Sequence, residues 1–480
     1  MELVKLFQPF LIASLVGSFG LLTLIHIAEK PMRGILLFLT AFYLFPSSMF
    51  LSSLSWWVLI VILFLTFFAI YTRQLALPIV DRKFPKIAFA PIIFIILLTT
   101  SIILASWDQL ANPMFWHLSL DAMTFVARSY YFAYFTGFLI IIIVPMALQT
   151  ERQFTQFMNL LIALGLFIAI WGIAEQITGI EFFADLRGGL VSNPSRLSTL
   201  PHGSVTSSAA FLMLPGFYGL YKLIFDKQSR SFLLTLSTII IIIAFLWTFT
   251  RAAYLGVITS VGILAFISPI SMRLKTIVII LGIVALLLIY ISGFRFPTSS
   301  NTLLANPYLS WMLENSYIES REDETFNPLD ATDLSGRLKR WELALITMSD
   351  NPIIGTGLGT NVREVDKRRS LGLAGAVGRM LSSNHNSFLD LGIDLGIVGV
   401  SIIGLMMTQT LLNFKLAFFK ASKNNLSSLK INAIILASLL PALIVHYSFN
   451  SDRGLPFIFL FFGLSLSLLH IAESNNQADF

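Results

Sequence analysis

The chain has 480 residues, 56% of them hydrophobic and only 12% charged, with a mean hydropathy of +0.80 and a net charge of +6. A water-soluble chain carries about twice that charge, so these figures exclude a soluble globular protein and specify an integral membrane protein. Cysteine is absent, which excludes disulfides, iron–sulfur clusters and thiolate metal sites, and six scattered histidines with no His-x-x-x-His pair argue against zinc.

A run of about 20 apolar residues crosses the hydrocarbon core as a helix. In chain order the predicted spans lie near 7–27, 34–51, 54–71, 88–105, 123–147, 157–177, 205–221, 232–249, 252–269, 276–293, 387–412, 431–449 and 455–471. The first run has a weak positive flank and no small-residue cleavage site, so it reads as a retained span and not a signal peptide. The expected fold is all-α, a polytopic helical membrane protein of about 12–13 transmembrane helices with one large external loop. The chain divides into N-terminal spans (1–180), spans with an external arginine turn (181–293), a large periplasmic loop (294–384) and C-terminal spans (385–480).

Lys and Arg in short loops set the orientation. Loops 28–33, 72–87, 148–156, 222–231, 271–275 and 415–430 hold 16 basic residues, whereas the alternating short loops hold 4. The first set is therefore expected in the cytoplasm, together with the C-terminus. The same parity puts 294–384 outside. That loop is 19% of the chain but holds 21 of its 58 Asp, Glu, Lys and Arg residues, so it reads as a functional subdomain and not a mere connector. Within it, Leu338, Trp341, Leu345 and Met348 give an apolar stripe at helical spacing. They predict a helix over 335–350, capped by Asp333 or Ser335 and stopped by Asn351-Pro352. Its stripe should lie on the membrane or on the span bundle, with Trp341 at headgroup level. Gly355, Gly357 and Gly359 follow in a tight turn.

Three residues at the outer boundary carry the chemistry. Arg251 interrupts about 38 uncharged residues (232–269) at an outer helix–helix turn. A charge there is costly and usually faces a polar cavity or a partner; the alternative is an arginine that snorkels to the headgroups. Arg337 opens the amphipathic helix beside Lys339 and Arg340. A guanidinium near a helix N-terminus suits phosphate oxygens, and a solvated basic face explains the same spacing equally well. His385, flanked by Asn384 and Asn386, stands where an outer span begins. The positive end of that helix favours the neutral imidazole needed to take a proton from a hydroxyl; a polar histidine capping the helix is the plainer reading.

Weaker candidates follow. Arg187, Arg196 and His202 lie in the 178–204 loop and suit an anionic or sugar-binding rim or ordinary loop roles. Arg128, ahead of Tyr130, Tyr131 and Tyr134, fits a lipid phosphate or, more simply, packing in the bundle. Asp390 and Asp394, four apart on the span after His385, need partners and can orient the histidine or pair with an arginine. Glu322-Asp323-Glu324 reads as a solvated run without a metal pattern. No Walker or dinucleotide fingerprint is present, so neither ATP coupling nor any cofactor is expected, and no nucleic-acid partner either.

Four stretches resemble the O-antigen ligase and polymerase family of bacterial envelope glycosyltransferases. They are Thr248 to Gly256 (Thr-x-x-Arg-Ala), Ser335 to Trp341 (Gly-Arg-x-x-x-Trp), Asn351 to Gly359 (Asn-Pro-x-x-Gly-x-Gly-x-Gly), and Asn384 to Gly399 (His-Asn-x-x-Leu to Leu-Gly-Ile-Val-Gly). Their order and the long external loop fit as well, over roughly residues 190–400. The resemblance implies an inner-membrane enzyme that takes a glycan from an undecaprenyl-diphosphate carrier and hands it to a hydroxyl on the periplasmic side. It further implies that Arg251 and Arg337 engage the diphosphate and that His385 is the base. Asp394 departs from the family's frequent glutamate. The acceptor stays open: a growing glycan, lipid A core or, less favoured, a protein. A lipid-linked glycan transporter is the alternative outside the family, but it would need a polar path at the bilayer midplane, where charges are almost absent.

Overall fold

A computed structural model of the chain describes residues 27, 30–44, 53–76, 89–104, 120–178, 197, 205–226, 230–267, 334–358, 385–450 and 455–474. Among these residues the regular structure is entirely helical. The helices are α1 (Pro31–Leu44), α2 (Ser53–Ala76), α3 (Phe89–Leu104), α4 (Leu120–Ala147), α5 (Glu151–Thr178), α6 (Val205–Phe225), α7 (Phe232–Trp247), α8 (Arg251–Ile267), α9 (Leu334–Asp350), α10 (Ser387–Lys423), α11 (Ser427–Ser448) and α12 (Leu455–Ser474). All of them except α9 answer to predicted spans. Two further predicted spans, 7–27 and 276–293, fall almost wholly or wholly outside the described residues, as do 294–333 and 359–384 of the loop predicted to be external. Five helices (α5, α6, α10, α11, α12) are long and apolar enough to cross a membrane within their described residues.

In lipid, helices associate through close packing and interhelical hydrogen bonds, because the surrounding acyl chains are as apolar as leucine. The contacts here follow that rule. Tyr43 and Phe42 of α1, Phe211 of α6 and Phe457 of α12 form one aromatic hub with ring centroids 4.8–6.4 Å apart. Buried polar side chains tie helices together. Tyr218 donates to Asn432 Oδ1 at 2.7 Å (α6–α11), Tyr221 and Ser260 share a 3.0 Å bond (α6–α8), and Asn413 donates to Ser465 at 3.1 Å (α10–α12).

These pairings fix the direction of each helix. α6 and α8 run together, α7 and α11 run against them, and α10 and α12 run together. One end of the bundle therefore gathers the start of α6, the α7–α8 turn, the start of α10 and the α11–α12 junction. The opposite end is basic and contains Arg230, Lys420, Lys423 and Lys430, with Lys420 paired to Glu473 at 2.5 Å.

α10 continues to Lys423, eleven residues beyond the predicted end of its span, and carries its lysines on the basic end. It is also broken. Gly396 adopts φ 64°, ψ −166° inside the helix, so the first two turns (387–395) form a separate short strut. Below the break Ile397, Leu405, Leu412, Leu416 and Phe419 make an exposed apolar stripe at helical spacing, the face expected to meet lipid. α9 begins at Leu334, which puts Ser335 inside the first turn and corrects its expected role as a cap; Asp333 lies outside the described residues.

Candidate functional site

The arginine turn is built from its threonines. α7 ends at Trp247, and Thr248 turns its hydroxyl back to the Phe245 carbonyl at 2.7 Å. Phe249 then takes φ 47°, a left-handed conformation that a bulky side chain rarely adopts. Thr250 O receives the Tyr254 amide at 3.1 Å, which starts α8, and the Tyr254 hydroxyl reaches back to the Leu246 carbonyl. Tyr254 also stacks edge-on against Phe245 at 5.6 Å. The result is a rigid reversal that presents Arg251, the first residue of α8, to the outside of the bundle. Arg251 is exposed there. Leu197 donates its amide to Trp247 O at 3.0 Å, which brings the upstream loop to this turn. Arg187, Arg196 and His202 of that loop lie outside the described residues, and so does the side chain of Arg128 in α4.

The histidine corner is set by two neighbours. Asn386, not His385, caps α10, accepting from the amides of Phe388 at 3.0 Å and Leu389 at 3.1 Å. The plainer reading of His385 as the cap is thereby corrected: an asparagine oxygen accepts these amides, and His385 stands one residue ahead of the cap. It takes φ 50° and is half-buried. Ser387 binds the Asn450 carbonyl twice, through its amide at 3.2 Å and its hydroxyl at 2.8 Å.

α9 reaches the same corner. Trp341 packs on Phe449 at the end of α11, with ring centroids 5.5 Å apart, which sets the helix on the span bundle. Leu343, Ala344 and Thr347 are buried in the face that meets α10, while Leu345 and Ile346 stay exposed. Arg337 lies one turn before Trp341 on this helix; its side chain is outside what the structure describes.

The glycine turn and the α10 break are one unit. The helix break at Gly396 frees backbone groups that Pro352 to Gly357 then satisfy. Thr356 and Gly357 amides donate to the carbonyls of Ile393 (2.8 Å) and Asp394 (3.0 Å), and the amides of Ile397 and Val398 donate to Pro352 O (2.8 Å) and Ile353 O (3.2 Å). A side chain at either Gly355 (φ 73°) or Gly396 would run into the backbone of the other segment. Leu358 extends the clasp to α3, its amide bonded to Ser101 Oγ at 3.0 Å. Asp394 is buried at 4% exposure inside this unit. Its neighbour in the pattern, Asp390, is half-buried in the first turn of the strut.

Residues 236–404 match the O-antigen ligase family. That segment spans α7 to the first half of α10 and contains all four motifs, with Arg251, Arg337, His385 and Asp394 among its residues. It starts well downstream of residue 190, so Arg128, Arg187 and Arg196 stand outside the O-antigen ligase segment. The match supports membrane glycan transfer of the O-antigen ligase or polymerase type for this multi-pass chain. No curated protein matches the chain.

Sequence reasoning missed three buried groups here. His446 (0% exposed) and Asn450 (3%) lie on and just after the last turn of α11, and Ser387 (6%) opens α10. The only linear hint was the four-residue spacing from His446 to Asn450, which fits any helix end. Glu175, buried in the last turn of α5, is likewise a carboxylate that hydropathy absorbs into its span.

Proposed function

We propose that the chain is a membrane glycosyltransferase that moves a glycan from an undecaprenyl-diphosphate carrier to a hydroxyl acceptor on the periplasmic face of the bacterial inner membrane. Arg251 and Arg337 hold the diphosphate, and His385 is the base. The observation that supports this reading is the gathering of the exposed Arg251 at the α7–α8 turn, the His385 corner and helix α9 at the end of the bundle opposite the basic end.

The chemistry follows from the groups. The bond between the anomeric carbon and the diphosphate oxygen breaks, and a bond from that carbon to the acceptor oxygen forms. The departing diphosphate gathers negative charge, which two guanidiniums stabilise as it develops. The acceptor hydroxyl must lose its proton, and a neutral imidazole accepts it. One displacement from the face opposite the leaving group inverts the anomeric carbon. Neither a metal nor a nucleotide enters these steps, because the donor is already activated.

The test is a proteoliposome assay with a polyprenyl-diphosphate-linked glycan and several acceptors. A ladder of products identifies a polymerase and single transfer to lipid A core a ligase. Movement of donor across the bilayer without bond formation would reject glycosyl transfer in favour of transport.

A further inference from the structure

The first two turns of α10 form a strut held at both ends. At one end the glycine clasp fixes residues 393–398 through four backbone hydrogen bonds. At the other, Ser387 is latched to the Asn450 carbonyl by its amide at 3.2 Å and its hydroxyl at 2.8 Å. Asn450 is itself fixed by its side chain, whose Nδ2 donates to the His446 carbonyl at 3.2 Å and lies 3.4 Å from the ring Nδ1. All three residues are buried, and Trp341 of α9 closes over Phe449 beside them.

His385 is two residues from this latch. Its left-handed φ of 50° is a conformation that is costly for a non-glycine residue and persists only where neighbours over-determine it. Asn386 and Ser387 do so here, one by capping the strut and the other by bonding it to α11. A satisfied buried polar network specifies one geometry where apolar packing would tolerate several.

We infer that Ser387, Asn450 and His446 are positioning residues for His385. They lock the N-terminus of α10 to the C-terminus of α11 so that the imidazole is presented to the acceptor in one orientation. The inference rests on the reading of His385 as the base.

The test is a set of double-mutant cycles in proteoliposomes with a polyprenyl-diphosphate-linked glycan donor. Ser387→Ala, Asn450→Ala and His446→Ala are each made alone and in the His385→Ala background. A misplaced base costs about 10- to 100-fold, so each single variant is expected to lose kcat on that scale with donor KM unchanged. Ser387→Thr, which keeps the hydroxyl, is expected to recover most of the rate. In the His385→Ala background the same substitutions should cost nothing more, since they act through the missing imidazole. Equal losses in both backgrounds would overturn the inference. So would wild-type turnover of the single variants beside an impaired His385→Ala. Wild-type turnover of His385→Ala itself would remove the base and this inference with it. If Asn450→Ala or His446→Ala does not yield folded protein, the Ser387→Ala and Ser387→Thr pair decides alone, because it alters a single hydroxyl.

Discussion

At the scale of single residues, Arg251 and His385 both stand at helix starts that the backbone around them shapes. Phe249 at φ 47° and His385 at φ 50° are two of the three non-glycine residues in the left-handed region among the described residues. Both lie in or beside a motif of the O-antigen ligase segment, where an observed outlier is a reason to look for function. His385→Ala is expected to lower turnover about 10²- to 10⁴-fold, the usual worth of a positioned base, with the protein still in the membrane; an unchanged rate rejects the assignment. Arg251→Ala is expected to weaken donor binding as well as rate. Arg251→Lys should recover little of either, because an ammonium is a point charge and cannot grip two oxygens at once. Full recovery by lysine would show that only charge matters at the turn.

At the scale of elements, the glycine turn and the break in α10 account for why two motifs far apart in the chain belong together. The broken helix exposes carbonyls at 393 and 394 and amides at 397 and 398, and the turn after α9 satisfies them in register. In a membrane such groups cannot be left to water that is absent, so the break is tolerated only because the turn fills it. Gly396→Ala is expected to cost about 1–3 kcal/mol for a positive-φ, extended backbone that is essentially reserved to glycine, and more because its Cβ meets the Ile353 carbonyl. A drop in the thermal midpoint of the detergent-solubilised protein, together with reduced transfer, is the expected outcome. Unchanged stability would mean that the clasp is dispensable. The α6–α11 contact offers a quieter check. Tyr218→Phe removes the donor to the buried Asn432 Oδ1 and should destabilise by about 1–3 kcal/mol, the cost of a buried polar atom left unpaired.

At the scale of the whole molecule, the bundle has a basic end and a motif end, and the orientation rule assigns the basic end to the cytoplasm. Because the chain has no cysteine, single-cysteine reporters are clean. Asn351→Cys, exposed after α9, should react with a membrane-impermeant maleimide in intact spheroplasts. Lys423→Cys, exposed at the end of α10, should react only after permeabilisation. The reverse pattern would put the motifs on the cytoplasmic side and remove the periplasmic reading.

Hydropathy alone determined the membrane class, eleven of the twelve described helices, and, with its apolar stripe, the helix inside the 294–384 segment, because a run of apolar residues and a three-to-four spacing are local properties. The arginine turn was legible for the same reason: a single charge in a stretch of 38 residues has no local excuse. What only the tertiary structure decided are the groups whose meaning depends on a distant partner. Gly396 reads as an ordinary helix glycine until Ile353 and Gly355 occupy the space beside it. Asn450 reads as loop polarity until Ser387, 63 residues earlier, is bonded to its carbonyl. Backbone hydrogen bonds across long separations leave no periodicity in the chain, so folding alone reveals them.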